Sequence, residues 1–326
     1  MRRLEIADER WPLASAFVIA RGAKTEAHVV TATQHDGSAV GRGEAVPYAR
    51  YGESVQSVLA ELEHARAAME AGADRAALQA LLPPGAARNA LDCALWDLET
   101  KRAGVPAWRL AGLPQPEPVQ TAFTLSLGTA ASMAAAARAA ADRPLLKLKI
   151  GGADDLDRVE AVRDAAPSSR LIVDANEALS FEDLRRLAPD FARLGVALIE
   201  QPLKAGEDEA LEGYPCPVLL CADESIHTRA ELSVCARRYG AVNIKLDKTG
   251  GLTEALALKR EAQALGLSIM AGCMVATSLA MAPALLIAQG AAVVDLDGPL
   301  LLARDRVPGL VITGSMVAPP EPALWG

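Results

Sequence analysis

LLKLKI (145–150), LIVDAN (171–176), VALIEQP (196–202), VLLCADES (218–225) and VNIKLDK (242–248) repeat one pattern: a short apolar run with an ionisable group at its C-terminal edge. Runs of this length, bounded by polar residues, read as strands. The charged edges are Lys147, Lys149, Asp174, Glu200, Asp223 and Lys245. Spacings of 25, 26, 23 and 22 residues separate Lys149, Asp174, Glu200, Asp223 and Lys245 in turn. Each spacing fits one strand, one helix and two short loops. Similar runs begin near 121, 267 and 292, which makes eight strand–helix units, the last with a helix that is short or missing. Such alternation implies an α/β fold with a parallel sheet, and eight units imply closure into a barrel.

Upstream the rhythm differs. Apolar runs at 13–20, 27–33 and 38–46 read as antiparallel strands, with Asp36-Gly37 as a hairpin turn. Two polar loops follow strands: Arg21-Gly22-Ala23-Lys24-Thr25 and Tyr48-Ala49-Arg50-Tyr51-Gly52. A helix is expected from Ser54 to Gly72, a short one from Asp74 to Pro83, and another over 86–103, where Leu91, Ala94, Leu95 and Leu98 share a face. The turn-rich AGLPQPEP (111–118) marks a domain boundary.

Composition narrows the function classes. In 326 residues, 51% are apolar, which supplies a sizeable core. A net charge of −8 with dispersed Lys and Arg argues against nucleic acid as a partner. Cys93, Cys216, Cys221, Cys235 and Cys273 are odd in number and form no CxxC, so they read as small buried hydrophobes of a reducing compartment. The N-terminus lacks a signal-like apolar run. The most apolar stretch (278–294) is broken by Pro283 and Gly290 and falls short of the roughly 20 residues that span a bilayer. A cytoplasmic location, without a membrane partner, is expected.

In a barrel of this kind, strand C-termini face one mouth. Asp174, Glu200 and Asp223 end consecutive strands, and three adjacent carboxylates repel unless a cation lies between them. Oxygen donors suit Mg²⁺, with Mn²⁺ as the alternative. Lys149 and Lys245 are four strands apart and therefore face each other across the mouth. Lys147 shares the side of its strand with Lys149. Two ammonium groups about 4 Å apart repel by about 4 kcal/mol at an effective dielectric near 20, enough to depress Lys149 into the range of a base working near neutral pH. The implied chemistry is proton abstraction beside a carboxylate, with the metal stabilising the enediolate. Two opposed bases mean inversion at that carbon, whereas a single base suits elimination or cycloisomerisation. Asp295 and Asp297 end the eighth strand; they suit a substrate ammonium, or else cap the following turn.

These motifs together resemble the enolase superfamily, in its muconate-lactonizing subgroup, over the whole chain. The residues that carry the resemblance are Lys147-Leu-Lys149, DAN (174–176), EQP (200–202), DES (223–225), NIKLDKTGG (243–251) and DLDGP (295–299). Within the subgroup, Asp-Leu-Asp is the mark of the dipeptide epimerases, of the L-Ala-D/L-Glu type. The resemblance implies an α+β capping domain (1–115), a modified (β/α)7β TIM-type barrel (116–300) and a C-terminal segment (301–326) returning to the cap. It implies Mg²⁺ on Asp174, Glu200 and Asp223, acid/base lysines Lys149 and Lys245, and Lys147 beside the substrate. Asp295 and Asp297 would bind the dipeptide's α-ammonium. Lys24 stands where the family has an arginine for the glutamate side chain, with Arg21 as a second candidate and Thr124 as a further contact. The implied role is epimerisation of a small-molecule dipeptide in murein-peptide recycling, by a chain compatible with a homo-oligomer. Two other readings stay open: a muconate cycloisomerase or o-succinylbenzoate synthase reaction, whose substrates lack the ammonium that Asp295 and Asp297 suit, and a catalytically silent barrel serving as a binding protein.

Overall fold

The computed structural model describes residues 2–152 and 154–326. The chain opens with β1 (Arg3–Ile19), β2 (Gly22–Asp36) and β3 (Ala39–Ala45), paired antiparallel in that order. β1 starts ten residues before the apolar run at 13–20. Its register from Arg3↔His35 to Pro12↔Glu26 is held by ladder hydrogen bonds on a largely exposed strand, so hydrophobicity does not announce it. The hairpin turn is centred on Gly37-Ser38, one residue later than expected. Asp36 pairs with Ala39, and the positive φ falls on Gly37 (63°).

Three helices cover this sheet: α1 (Val55–Glu70), α2 (Arg75–Leu81) and α3 (Ala86–Ala103); a single turn, α4 (Ala107–Leu110), follows. Ser54 and Ser57 form a reciprocal cap on α1, and Asp74 accepts from the Ala77 N–H to start α2. α3 buries Leu91, Ala94, Leu95 and Leu98. It lies so close to β3 that a Cβ on Gly43 would stand 2.1 Å from the Ala90 carbonyl oxygen. Only glycine permits that approach.

After β4 (Val119–Gln120) comes the barrel. Its strands are β5 (Phe123–Leu125), β6 (Leu145–Lys149), β7 (Arg170–Asp174), β8 (Val196–Glu200), β9 (Leu219–Ala222), β10 (Ala241–Ile244), β11 (Ser268–Gly272) and β12 (Val293–Asp295). They form one eight-stranded sheet in chain order with parallel pairing. Three hydrogen bonds close the seam between its edges. Ala122 N–H donates to Val294 O (2.8 Å), Leu296 N–H to Thr121 Oγ1 (2.8 Å) and Thr124 N–H to Asp297 Oδ2 (2.7 Å). The outer helices are α5 (Ala130–Ala139), α6 (Leu156–Ala165), α7 (Phe181–Arg193), α8 (Leu232–Arg238), α9 (Leu246–Thr249), α10 (Leu252–Ala264) and α11 (Ser278–Ala288). The strand–helix rhythm predicts a helix between β8 and β9 as well. The structure has only a 3₁₀ turn there (Glu209–Leu211), because Gly206, Gly213, Pro215 and Pro217 break the segment. β12 is followed by another 3₁₀ turn, Gly298–Leu301, in place of an eighth helix.

The barrel interior shows the period-two logic of strands. Leu145, Ile172, Leu198, Cys221, Ala241, Met270 and Val293, one from each of β6 to β12, join Ala122 in a separate buried apolar cluster. This cluster is the floor of the barrel. The opposite faces, such as Leu146, Leu148 and Ile150, pack in the larger core. The C-terminal residues form β13 (Ile312–Thr313) and β14 (Met316–Val317), and β14 pairs with β4. Beyond them Trp325 Nε1 donates to Cys93 O on α3 (3.0 Å), and Gly326 N–H to Asp97 Oδ1 (2.8 Å). All five cysteines are free thiols. Among the described residues no helix is long and apolar enough to cross a membrane.

Candidate active site

Two residues above the floor, the same strand faces turn ionic. A cavity of about 750 Å³ opens at the C-terminal ends of the strands, lined by Lys147, Lys149, Asp223, Lys245, Asp295 and Asp297 from the barrel. The cap closes it with Phe17, Arg21, Lys24, Tyr48, Arg50 and Tyr51. Thr124 is also at the wall, and its backbone is engaged by Asp297.

The lysines and carboxylates interleave. Lys149 Nζ donates to Asp174 Oδ2 at 2.6 Å. Lys245 Nζ donates to Asp223 Oδ2 at 2.6 Å and lies 3.9 Å from Glu200 Oε1. Lys147 Nζ stands 2.6 Å from Glu200 Oε2, 2.7 Å from Asp295 Oδ2 and 3.1 Å from Asp174 Oδ2. The expected repulsive lysine pair is therefore not what the mouth contains. Burial works against the Lys147 ammonium, but Asp295, Glu200 and Asp174 outweigh it and hold its pKa well above the ordinary lysine value. Its charge is spent on these carboxylates and is screened from Lys149.

The three acids differ. Burial raises the pKa of each, but Lys149 and Lys147 more than reverse this at Asp174, and Lys245 and Lys248 do so at Asp223. At Glu200 burial wins, reinforced by repulsion from Asp174 and Asp223, and the carboxyl is pushed up to about 8. Glu200 is fully buried, and its Oε2 faces the Lys147 ammonium at 2.6 Å. A carboxyl so placed requires a proton or a cation beside it. Among the described residues no three acidic, histidine or cysteine side chains are already gathered into a metal cage; ammonium groups stand between them. The donor set of Asp174, Glu200 and Asp223 is all hard oxygen, which fits Mg²⁺.

Supporting groups explain the positions. Asn243 Nδ2 donates to Glu200 Oε1 at 2.7 Å, and space for Asn243 exists because the neighbouring β11 position is Gly272. A Cβ there would lie 2.4 Å from Asn243 Oδ1. Gln201 Oε1 accepts from the N–H groups of Asp223 (2.8 Å) and Ser225 (3.1 Å), tying one strand end to the next. Sequence reasoning gave Lys248 no role. The side chain is 1% exposed and donates to Asp223 Oδ1 (2.5 Å), Asp223 O (2.5 Å) and Asn243 O (2.9 Å). No local pattern marked it: Lys245 precedes α9 in extended conformation, while Lys248 lies on that four-residue helix.

Asp297 does not cap the turn that follows it. Its side chain makes no capping bond there and reaches instead across the seam to Thr124. Burial, then the neighbouring Asp295, push its pKa up to about 7. Of the candidate cap residues, Lys24 places its ammonium 5.1 Å from the Tyr48 ring centroid. Arg21 donates to Glu224 Oε1 (2.8 Å), Asn176 O (3.0 Å), Glu177 Oε2 (3.1 Å) and Tyr48 Oη (3.2 Å).

Residues 1–112 match the mandelate racemase/muconate lactonizing enzyme N-terminal domain, and residues 118–321 match the enolase C-terminal domain-like family. The L-Ala-D/L-Glu epimerase of Escherichia coli is 48% identical over 96% of this chain and 98% of its own. An Agrobacterium tumefaciens enolase family member with homology to dipeptide epimerases, solved with sodium and L-Ala-L-Glu bound, is 53% identical over the full length of both chains, with a TM-score of 0.98. A Methylococcus capsulatus dipeptide epimerase, solved with Mg and L-Arg-D-Lys, is 29% identical over 98% of this chain and 96% of its own, with a TM-score of 0.90.

Proposed function

Because the chain belongs to the mandelate racemase/muconate lactonizing family, with its enolase-type barrel, we propose that it is a Mg²⁺-dependent dipeptide epimerase acting on L-Ala-D/L-Glu in murein-peptide metabolism. The observation that carries this reading is the opposition of Lys149 on β6 and Lys245 after β10. They are four strands apart in an eight-stranded barrel and line one cavity. The similarity to the epimerases described above supports the substrate class.

Asp174, Glu200 and Asp223 would hold the Mg²⁺. When bound, the cation would neutralise the charge that develops on the substrate carboxylate. One lysine takes the α-proton of the C-terminal residue from its own face, and the opposite lysine returns a proton to the other face. The α-carbon is thereby inverted by a two-base 1,1-proton transfer. The substrate ammonium is assigned to Asp295 and Asp297, with Lys147 balancing Asp295 on its far side. Asp295 Oδ1 is buried and lacks a hydrogen-bond partner, as an acceptor awaiting a donor would. Lys24 is assigned to the glutamate side-chain carboxylate as a single-point charge, without the two-pronged geometry of an arginine. Tyr51 and Phe17 line the mouth on the cap side.

The test is incubation with Mg²⁺ and L-Ala-L-Glu in D₂O, followed by NMR of the Glu α-proton. Loss of that signal together with the appearance of the L,D diastereomer is the expected result. The absence of α-exchange across a panel of dipeptides would refute the epimerase reading. N-acetyl-L-Glu, which has no ammonium for Asp295 and Asp297, should exchange far more slowly than the dipeptide.

A further inference from the structure

Two loops of the cap meet the barrel at one carboxylate. Arg21 lies in the turn between β1 and β2, and Arg50 in the 3₁₀ turn Ala49–Tyr51 after β3. Arg50 Nε and Nη2 donate to Glu177 Oε2 and Oε1 at 2.7 and 2.6 Å, a two-pronged pair. Arg21 Nη1 reaches the same Oε2 at 3.1 Å, and the Ala205 N–H donates to Oε1 at 2.9 Å. Arg21 then continues to Glu224 and to the Asn176 carbonyl. Glu177 stands at the rim, yet its side chain is only 8% exposed.

The backbone beneath is unusual. Asn176 (φ 44°) and Glu177 (φ 71°) are consecutive left-handed non-glycine residues, placed directly after the strand that ends in Asp174. Such a conformation costs free energy and persists only where its surroundings hold it. Here the Glu177 N–H donates to Gln201 O (2.9 Å) and the Asn176 N–H to Asp174 Oδ1 (2.9 Å). The segment that carries Glu177 to the cap also positions a candidate metal ligand. Both arginines are occupied by barrel carboxylates, whereas Lys24 forms no ion pair among the described residues.

We propose that Glu177 is a positioning residue that fastens both cap loops over the substrate, and that Arg21 and Arg50 act through Glu177 and Glu224, not on the substrate. Charge-assisted, two-pronged pairs are the strong class of hydrogen bond, and partial burial shields this one from salt. Holding the loops shut stabilises every bound dipeptide alike, whatever its side chain. Lys24, by contrast, acts only on a substrate with an acidic side chain. The substrate half of this inference rests on the epimerase reading; the loop half does not.

The test uses Glu177→Gln, which keeps the shape and removes the charge, beside Lys24→Met. Backbone hydrogen exchange of residues 19–25 and 48–52 in the substrate-free protein is expected to quicken about tenfold in Glu177→Gln and to stay unchanged in Lys24→Met, with the floor strands protected in both. For Glu177→Gln, KM should rise about tenfold for acidic and apolar dipeptides alike, a loss of about 1.4 kcal/mol, while kcat changes less than threefold. For Lys24→Met the rise should be confined to L-Ala-L-Glu. Unaltered loop exchange in Glu177→Gln, a KM effect limited to acidic dipeptides, or a loss carried by kcat would overturn the proposal. If the wild-type protein turns over no dipeptide, the functional reading fails, and the exchange measurement still decides the latch.

Discussion

Leu145, Ile172, Leu198 and Val293 plug the floor of the barrel; two residues later along the same strands stand Lys147, Asp174, Glu200 and Asp295 at its mouth. Both layers are buried and both face inward. Their energetics oppose each other. Apolar side chains in the floor gain about 25 cal/mol for every Å² withdrawn from water. Buried charges in the mouth lose hydration, and their mutual attraction repays this only in part. The fold is therefore held by the floor, the outer helices and the cap, while the mouth is carried by that stability and spends it on chemistry. The comparison predicts that changes in the mouth alter turnover much more than folding, and that changes in the floor do the reverse.

The sharpest break between the layers should come from Lys149→Ala and Lys245→Ala. Each is expected to lose epimerisation by about 10³-fold or more, the scale of a positioned acid/base group, a larger effect than the stability lost by depriving buried Asp174 or Asp223 of a partner. Steady-state rates and thermal unfolding check this, and near-wild-type turnover in both variants would end the two-base reading. In the floor, Leu198→Ala should cost about 2–5 kcal/mol in denaturant unfolding and leave kcat/KM nearly unchanged. A floor variant that lost activity without losing stability would erase the distinction between the layers.

Glu200→Gln tests whether the mouth is a net burden. The Glu200 carboxyl is raised to about 8 in the folded chain by burial and by Asp174 and Asp223. A carboxyl raised on folding contributes stability below its unfolded value, near 4.5, and loses that contribution as pH climbs through 8. Without added Mg²⁺, wild-type stability from this group should therefore fall between about pH 4.5 and 8. Glu200→Gln should flatten that slope, raise the melting temperature at pH 8 and abolish Mg²⁺ binding in calorimetry. Asp174 and Asp223 have the opposite sign: their lowered values favour folding above the ordinary aspartate range, and that contribution is lost on acidification. The smallest effect is expected from Gly272→Ala, in the mouth layer beside Asp295. Its Cβ displaces Asn243 from Glu200, which should weaken Mg²⁺ binding several-fold with little loss of stability.

Much of this site was legible in the sequence. Lys149, Asp174, Glu200, Asp223 and Lys245 announce themselves because a strand places every second residue on one face and the units repeat at near-constant spacing. The barrel class follows from the same rhythm. The polar β1 was hidden because ladder hydrogen bonds, not apolar burial, hold it. The helix absent between β8 and β9 escaped because the count of units does not reveal what fills each connection, although Gly206, Gly213, Pro215 and Pro217 were in view.

What the sequence by itself determined is local and periodic: the strands, their inward faces, the order of the charges and the α3 stripe against the cap sheet. Only the tertiary structure decided which charges meet. Arg21 finds Asn176 across 155 residues and Glu224 across 203. Asp297 closes the seam on Thr124 across 173 residues in place of capping its own turn. Lys147 is shared among Asp174, Glu200 and Asp295 and leaves Lys149 to Asp174 alone. The physical reason is that periodicity is a property of the backbone, whereas an ion pair depends on distances of a few ångströms set by barrel closure and by the seating of the cap, and no local pattern encodes either.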